Sequence, residues 1–96
     1  MKKFENVWDA LANTPEEALN LTFRSDLMSS IEKTVETWNI TQAEGATRLG
    51  ITRPRLNDLM RGKLSKFSLE ALTTLATRAG LRVQLRVKKS VIKKAA

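Results

Sequence analysis

Apolar residues recur at helical spacing along most of the chain. Phe4, Val7, Trp8 and Leu11 fall at i, i+3, i+4 and i+7, which predicts one face of a short helix in an amphipathic N-terminal arm, residues 1–13. A longer stripe runs through Leu19, Phe23, Leu27, Ile31, Val35 and Trp38. It predicts one long helix, or two nearly continuous ones, over about residues 15–38. Thr14 is placed to cap it, with Pro15 at the first helical position and Glu17 three after the cap, and Asn39 ends it. Thr41 with Glu44 repeats the capping signature and opens a helix that stops at Gly50. A further helix starts at Thr52 and ends near Arg61, with Gly62 as its stop. Ser68 caps another to about Ala79, carrying Leu69, Leu72, Leu75 and Ala76 on its apolar face.

The period then changes from helical to two. In "LRVQLRVKK", Leu81, Val83, Leu85 and Val87 alternate with Arg82, Gln84, Arg86 and Lys88. That is a half-buried strand over 81–88, and a single strand leaves its ladder groups unpaired. The simplest partner is the same strand of a second copy, which makes 81–88 a dimerisation strand. The alternative is a strand-like tail lying on its own helices. Residues 89–96 read as a basic tail. The fold class expected is all-α with a short C-terminal strand, the helical domain covering 14–80 and the strand pairing across a dimer.

Between Thr41 and Lys63 the pattern becomes specific. Two short helices meet across "LGIT", with Gly50 where the chain turns sharply. Ala46 is small where the second helix crosses the first, and Leu49, Ile51, Leu56 and Leu59 face a core. This is a helix-turn-helix, whose second helix lies in the DNA major groove with its N-terminal residues at base edges. The first turn of that helix holds Arg53 and Arg55 and no carboxylate, against the charge preference of a helix N-terminus. An anion arriving from outside explains the exception. The arginine fork matches the two acceptors of guanine or grips a phosphate. Pro54 lacks an N–H where the helix needs none. Thr52 is placed to cap the helix and reach a phosphate. Asn57 and Asp58 come one turn later as candidate base contacts, with cytosine's amino group the donor that Asp58 would accept. Gln42 stands at the DNA backbone, and Arg61, Lys63 and Lys66 are phosphate candidates. Gly45, inside the first helix, costs about 1 kcal/mol against alanine and suits a close approach.

Charge sharpens this reading. The formal net charge is +7, unevenly distributed. Residues 1–47 hold four basic and eight acidic side chains, whereas residues 48–96 hold 13 basic ones and only Asp58 and Glu70 as acids. A basic half suits nucleic acid, and an acidic half suits a different partner. The chain has no cysteine and no histidine, which argues against disulfides, most zinc sites and most nucleophile–base pairs. No metal, cofactor or catalytic role is expected. The N-terminal stretch lacks the apolar run of a signal peptide and no segment is long enough to span a bilayer, so a cytoplasmic location without a membrane partner is expected.

The stretch "TQAEGATRLGITRPRLNDLMRGKLSKFSLEALTTLATRAGL" resembles the lambda-repressor-like, or XRE, helix-turn-helix domain. It is most similar to the branch with "TQAE.A..LG....R.....RGK...FS...L", which includes HigA-type antitoxins and compact repressors encoded beside RelE-like toxins. The resemblance covers about residues 24–87 and places Gln42, Thr52, Arg53, Arg55, Asn57 and Asp58 on the family's DNA-contacting positions. Gly45 and Arg53 depart from the usual residues, and Arg53 implies a different operator sequence. The resemblance implies a homodimer on a palindromic operator in double-stranded DNA, repression of its own operon, and a RelE-like toxin as partner. For that toxin, Phe4, Val7, Trp8 and Leu11 are the candidate anchors; packing on the protein's own core or its dimer partner is the competing role for them. A stand-alone XRE-type regulator, or an interaction module that has lost DNA contact, shares the same scaffold.

Overall fold

Helix boundaries follow from the capping residues. The structure is a computed structural model that describes residues 13–89, so the N-terminal amphipathic arm with Phe4, Val7, Trp8 and Leu11, and the end of the basic tail, lie outside the described residues. Four α-helices and one 3-10 turn follow in order: α1 Pro15–Trp38, α2 Gln42–Leu49, α3 Arg53–Met60, the turn Leu64–Lys66, and α4 Leu69–Arg78.

Each α-helix begins with a hydroxyl accepting a backbone N–H that the helix leaves unpaired. Thr14 Oγ1 accepts from Glu17 N at 3.0 Å and Ser68 Oγ from Ala71 N at 3.0 Å. At α2 both arms of the capping box close: Glu44 N donates to Thr41 Oγ1 at 3.1 Å, and Thr41 N donates to Glu44 Oε1 at 3.0 Å. Thr52 Oγ1 accepts from Arg55 N at 3.3 Å and starts α3. Asn39 closes α1 in the left-handed region at φ 54°, a conformation asparagine tolerates better than most residues.

The core is one cluster: Met28 and Ile31 from α1, Ala46 and Leu49 from α2, Leu56 and Leu59 from α3, Phe67 from the linker, and Leu72, Leu75 and Ala76 from α4. Leu27, Val35 and Trp38 pack on its edge, so the C-terminal half of α1 forms the spine. The α1 stripe is not buried evenly. Leu19 and Phe23 remain exposed in its first turns, beyond the reach of the other helices.

Glu32, on α1, is half-buried beside Met28, Ser29 and Gly62. Burial, and then the charge of Glu36 one turn on, raises its pKa above the ordinary 4.5. A carboxyl that holds its proton more tightly folded than unfolded favours the fold at low pH, and loses that contribution as pH rises through the folded pKa. Glu32→Gln should therefore raise the melting temperature at neutral pH, with the gain shrinking toward pH 4.5 and below. Thermal unfolding followed by circular dichroism across that range checks it.

The expected strand is not formed. Leu81 N donates to Ala76 O at 2.9 Å and its side chain packs on the edge of the core, but residues 82–89 carry no regular structure and lie exposed. The reason is physical. A strand is defined by its ladder, and no second strand exists among the described residues of a single chain. Val83, Leu85 and Val87 are 49%, 78% and 80% exposed, so the tail does not lie on its own helices either.

Candidate nucleic-acid interface

The unit α2–Gly50–α3 is built by three local devices. Gly50 adopts φ 72°, and its N–H and that of Ile51 close the end of α2 on the carbonyls of Thr47, at 3.1 Å, and Ala46, at 2.9 Å. A Cβ at position 50 would meet Arg78 Nη1 at 2.9 Å, but that is the tip of a flexible side chain, so it is the positive φ that calls for glycine. Arg78 itself, from α4, donates to Leu49 O at 3.0 Å and satisfies the last turn of α2. Gly45 is buried where α2 meets α3, and a Cβ there would lie 3.2 Å from Leu56 Cδ2. The glycine that is poor for the helix is thus the point of close approach.

The sequence-predicted site residues separate into two groups. Thr52, Arg53 and Pro54 are exposed at the start of α3, and the side chains of Arg53 and Arg61 make no hydrogen bond or ion pair among the described residues. Asn57, half-buried, follows Arg53 by four residues and shares its face of the helix. Gln42 is exposed at the first position of α2, and Lys66 is exposed after the recognition helix.

The second group is engaged within the protein. Asp58 lies 3.4 Å from Lys63 Nζ, and Lys63 N donates to Asp58 O at 3.1 Å, so the two residues close the end of α3 on each other. One carboxylate oxygen of Asp58 is thus shared with Lys63, in a surface ion pair worth only about 0–1 kcal/mol. Arg55 is the other case. Its Nη1 donates to Lys66 O at 3.0 Å and its guanidinium lies over the Phe67 ring, 4.2 Å from the centroid.

A third group was not singled out from the sequence. Arg24 on α1 donates through Nη1 to Leu64 O at 3.1 Å and Phe67 O at 3.2 Å, and through Nε to Asn20 Oδ1 at 2.8 Å. Arg48 stacks on Trp38, 4.4 Å from the ring centroid, and fixes the outer face of α2 to the end of α1. The Arg48–Trp38 pair is ten residues apart in the chain, so local periodicity carries no sign of it.

Electrostatics set α3 apart. The first turns of α1, α2 and α4 carry Glu16 and Glu17, Glu44, and Glu70, whereas that of α3 has no acid. The exposed N-terminus of α3 therefore combines the positive end of the helix with Arg53, and Lys63 and Lys66 stand just beyond its other end. A family model described as a helix-turn-helix domain matches residues 10–88. The chain belongs to that helix-turn-helix family. A solved structure named "Putative XRE Family Transcriptional Regulator" shares the fold with a TM-score of 0.71 at 28% identity, the match covering 80% of this chain and 86% of that one. No curated protein sequence matches. Within the helix-turn-helix, α2 is the supporting helix and α3 the recognition helix, and the candidate DNA face is the one formed by Gln42, Thr52, Arg53, Asn57 and Arg61. Among the described residues there is no group of side chains able to hold a metal ion, and no helix is long and apolar enough to cross a membrane.

Proposed function

We propose that this helix-turn-helix protein is a sequence-specific DNA-binding transcriptional repressor, a binding protein with no catalytic role that acts in the cytoplasm. One observation carries the reading: the recognition helix α3 presents an exposed first turn with Arg53 unpartnered and no acid to balance it. The neighbouring fold, a protein named as an XRE family transcriptional regulator, supports the same conclusion.

The finer reading is a homodimer on a palindromic operator. The exposed apolar alternation Val83, Leu85, Val87 supports it, because antiparallel pairing of identical strands is self-complementary, as a two-fold interface requires. Two recognition helices would then read successive major grooves about 34–36 Å apart. The resemblance of residues 41–81 to the HigA-type branch supports a role as the antitoxin of a toxin–antitoxin operon that represses its own promoter, with a small RelE-like toxin as the partner of the acidic N-terminal half.

A mobility-shift titration on the DNA upstream of its own gene tests the reading. The wild-type protein should shift that duplex ahead of random DNA. Arg53→Ala should cost about 1–3 kcal/mol on the operator and relax discrimination at one base pair. No shift by the wild type would refute DNA binding, and an equal loss on operator and random duplex would remove Arg53 from the base edges.

A further inference from the structure

Arg55 stands in the first turn of the recognition helix, yet its side chain turns toward the protein's own body. Its guanidinium donates to Lys66 O at 3.0 Å while its carbon lies over the ring of Phe67, which is 1% exposed. Arg24 approaches the same short segment from α1 and holds the carbonyls of Leu64 and Phe67. Two arginines from two helices therefore grip the turn 64–67. That turn otherwise rests on few internal bonds, chiefly Lys66 N to Lys63 O at 3.0 Å and Phe67 N to Leu64 O at 3.1 Å. The segment they hold carries Lys66; Lys63, just before it, is held instead to Asp58 at the end of α3.

We propose that Arg55 is a positioning residue of the DNA interface: it latches the turn 64–67 to α3, sets Lys66 at a fixed offset from the recognition helix, and does not read a base. The proposal deepens the DNA-binding reading and rests on it. Its chemistry follows from the guanidinium. Only a planar fork can stack on a ring by its face and donate to a carbonyl by its edge at once. To bridge the two acceptors of guanine, Arg55 would have to leave both partners. Arg53 has none to leave. Readout on this helix then falls to Arg53 and to Asn57 on the same face, and Arg55 supplies the register between the reading helix and its phosphate contacts.

The test uses the full chain and two variants, Arg55→Lys and Phe67→Leu. Arg55→Lys keeps the charge and removes the fork; its side chain is half-exposed, so the fold is retained. The probes are the duplex that the wild-type protein enriches from a randomised pool, every single-base-pair variant of that duplex, and one random duplex, each titrated over a range of salt. Arg55→Lys should weaken the enriched and random duplexes by the same factor, about fivefold, and leave the ranking of the base-pair variants unchanged. The salt slope should flatten, because fewer phosphates are met at once. Phe67→Leu should reproduce this pattern, and the double variant should add little to either alone. Hydrogen exchange on the free protein gives an independent measure: the amides of Lys66 and Phe67 should exchange faster in Arg55→Lys while those of α2 do not. A change of preferred base at one position in Arg55→Lys, or additive losses in the double variant, would overturn the proposal. Unchanged exchange at Lys66 and Phe67 would overturn it too. A wild-type protein that enriches no duplex refutes the DNA-binding reading instead, and with it the role of the latch in binding, while the exchange measurement still reports whether the latch exists.

Discussion

Raising monovalent salt from about 50 to about 200 mM should weaken duplex binding by about two to three orders of magnitude. The expectation rests on how many phosphates the protein neutralises. Arg61, Lys63 and Lys66 are exposed near the recognition helix, and Arg53 adds a further charge if it meets a phosphate. Lys63 is shared with Asp58 at 3.4 Å, so its counterion release is partial. In the proposed dimer two copies of the chain would displace about four to six counterions, for a log–log slope of roughly −4 to −5. Fluorescence anisotropy on a labelled duplex over that salt range measures it directly. A slope near zero would mean that the basic half is a solvated surface with no duplex against it.

Leu85→Lys is expected to separate the two copies while leaving each one folded. In the single chain the Leu85 side chain is 78% exposed, so a lysine there disturbs nothing within the protomer. Across a paired strand the same side chain lies on the buried face, and a charge placed there is costly. Sedimentation should show the wild type as a dimer at micromolar concentration and Leu85→Lys as a monomer. Binding to a full operator should fall by about a hundredfold or more, since two half-sites are no longer held by one linked unit, while binding to a half-site changes little. Val83→Pro interrupts the ladder through the backbone instead and should give the same result. A wild-type monomer, or a Leu85→Lys protein that stays dimeric and binds normally, would exclude pairing through this segment.

Features whose cause is local were readable from the sequence alone. Thr14, Thr41, Thr52 and Ser68 each cap the helix that follows because the acceptor and the donor it satisfies are three residues apart. The core positions of α2 to α4 followed from periodicity, and Gly50 from the turn it had to make. What escaped was non-local. Arg24 reaches carbonyls 40 and 43 residues away and Arg78 reaches one 29 residues away, and backbone carbonyls leave no trace in side-chain pattern. Arg55 illustrates the same limit inside the site. Its place in the first turn of α3 suggested a base or phosphate contact, and only the fold brings Lys66 O and the Phe67 ring beneath it. The alternation over 81–87 suggested a strand that the single chain does not form, because a ladder exists only once a second strand is supplied.

The arginines divide into two kinds of use. Arg24, Arg55 and Arg78 tie carbonyls of distant segments together, and Arg48 pins α2 to Trp38. At these four positions the chain employs the shape of the side chain, a rigid plane with donors on its rim, and its positive charge comes along as a by-product. Lysine at all four would leave the formal charge untouched, and the potential that draws a duplex toward the protein from a distance would hardly change. The docking that follows encounter would suffer, because the carbonyls at the ends of α2 and of the 64–67 turn would lose the parts that hold them. Long-range attraction and short-range fit, which the net charge lumps together, are therefore set by different members of the same residue type.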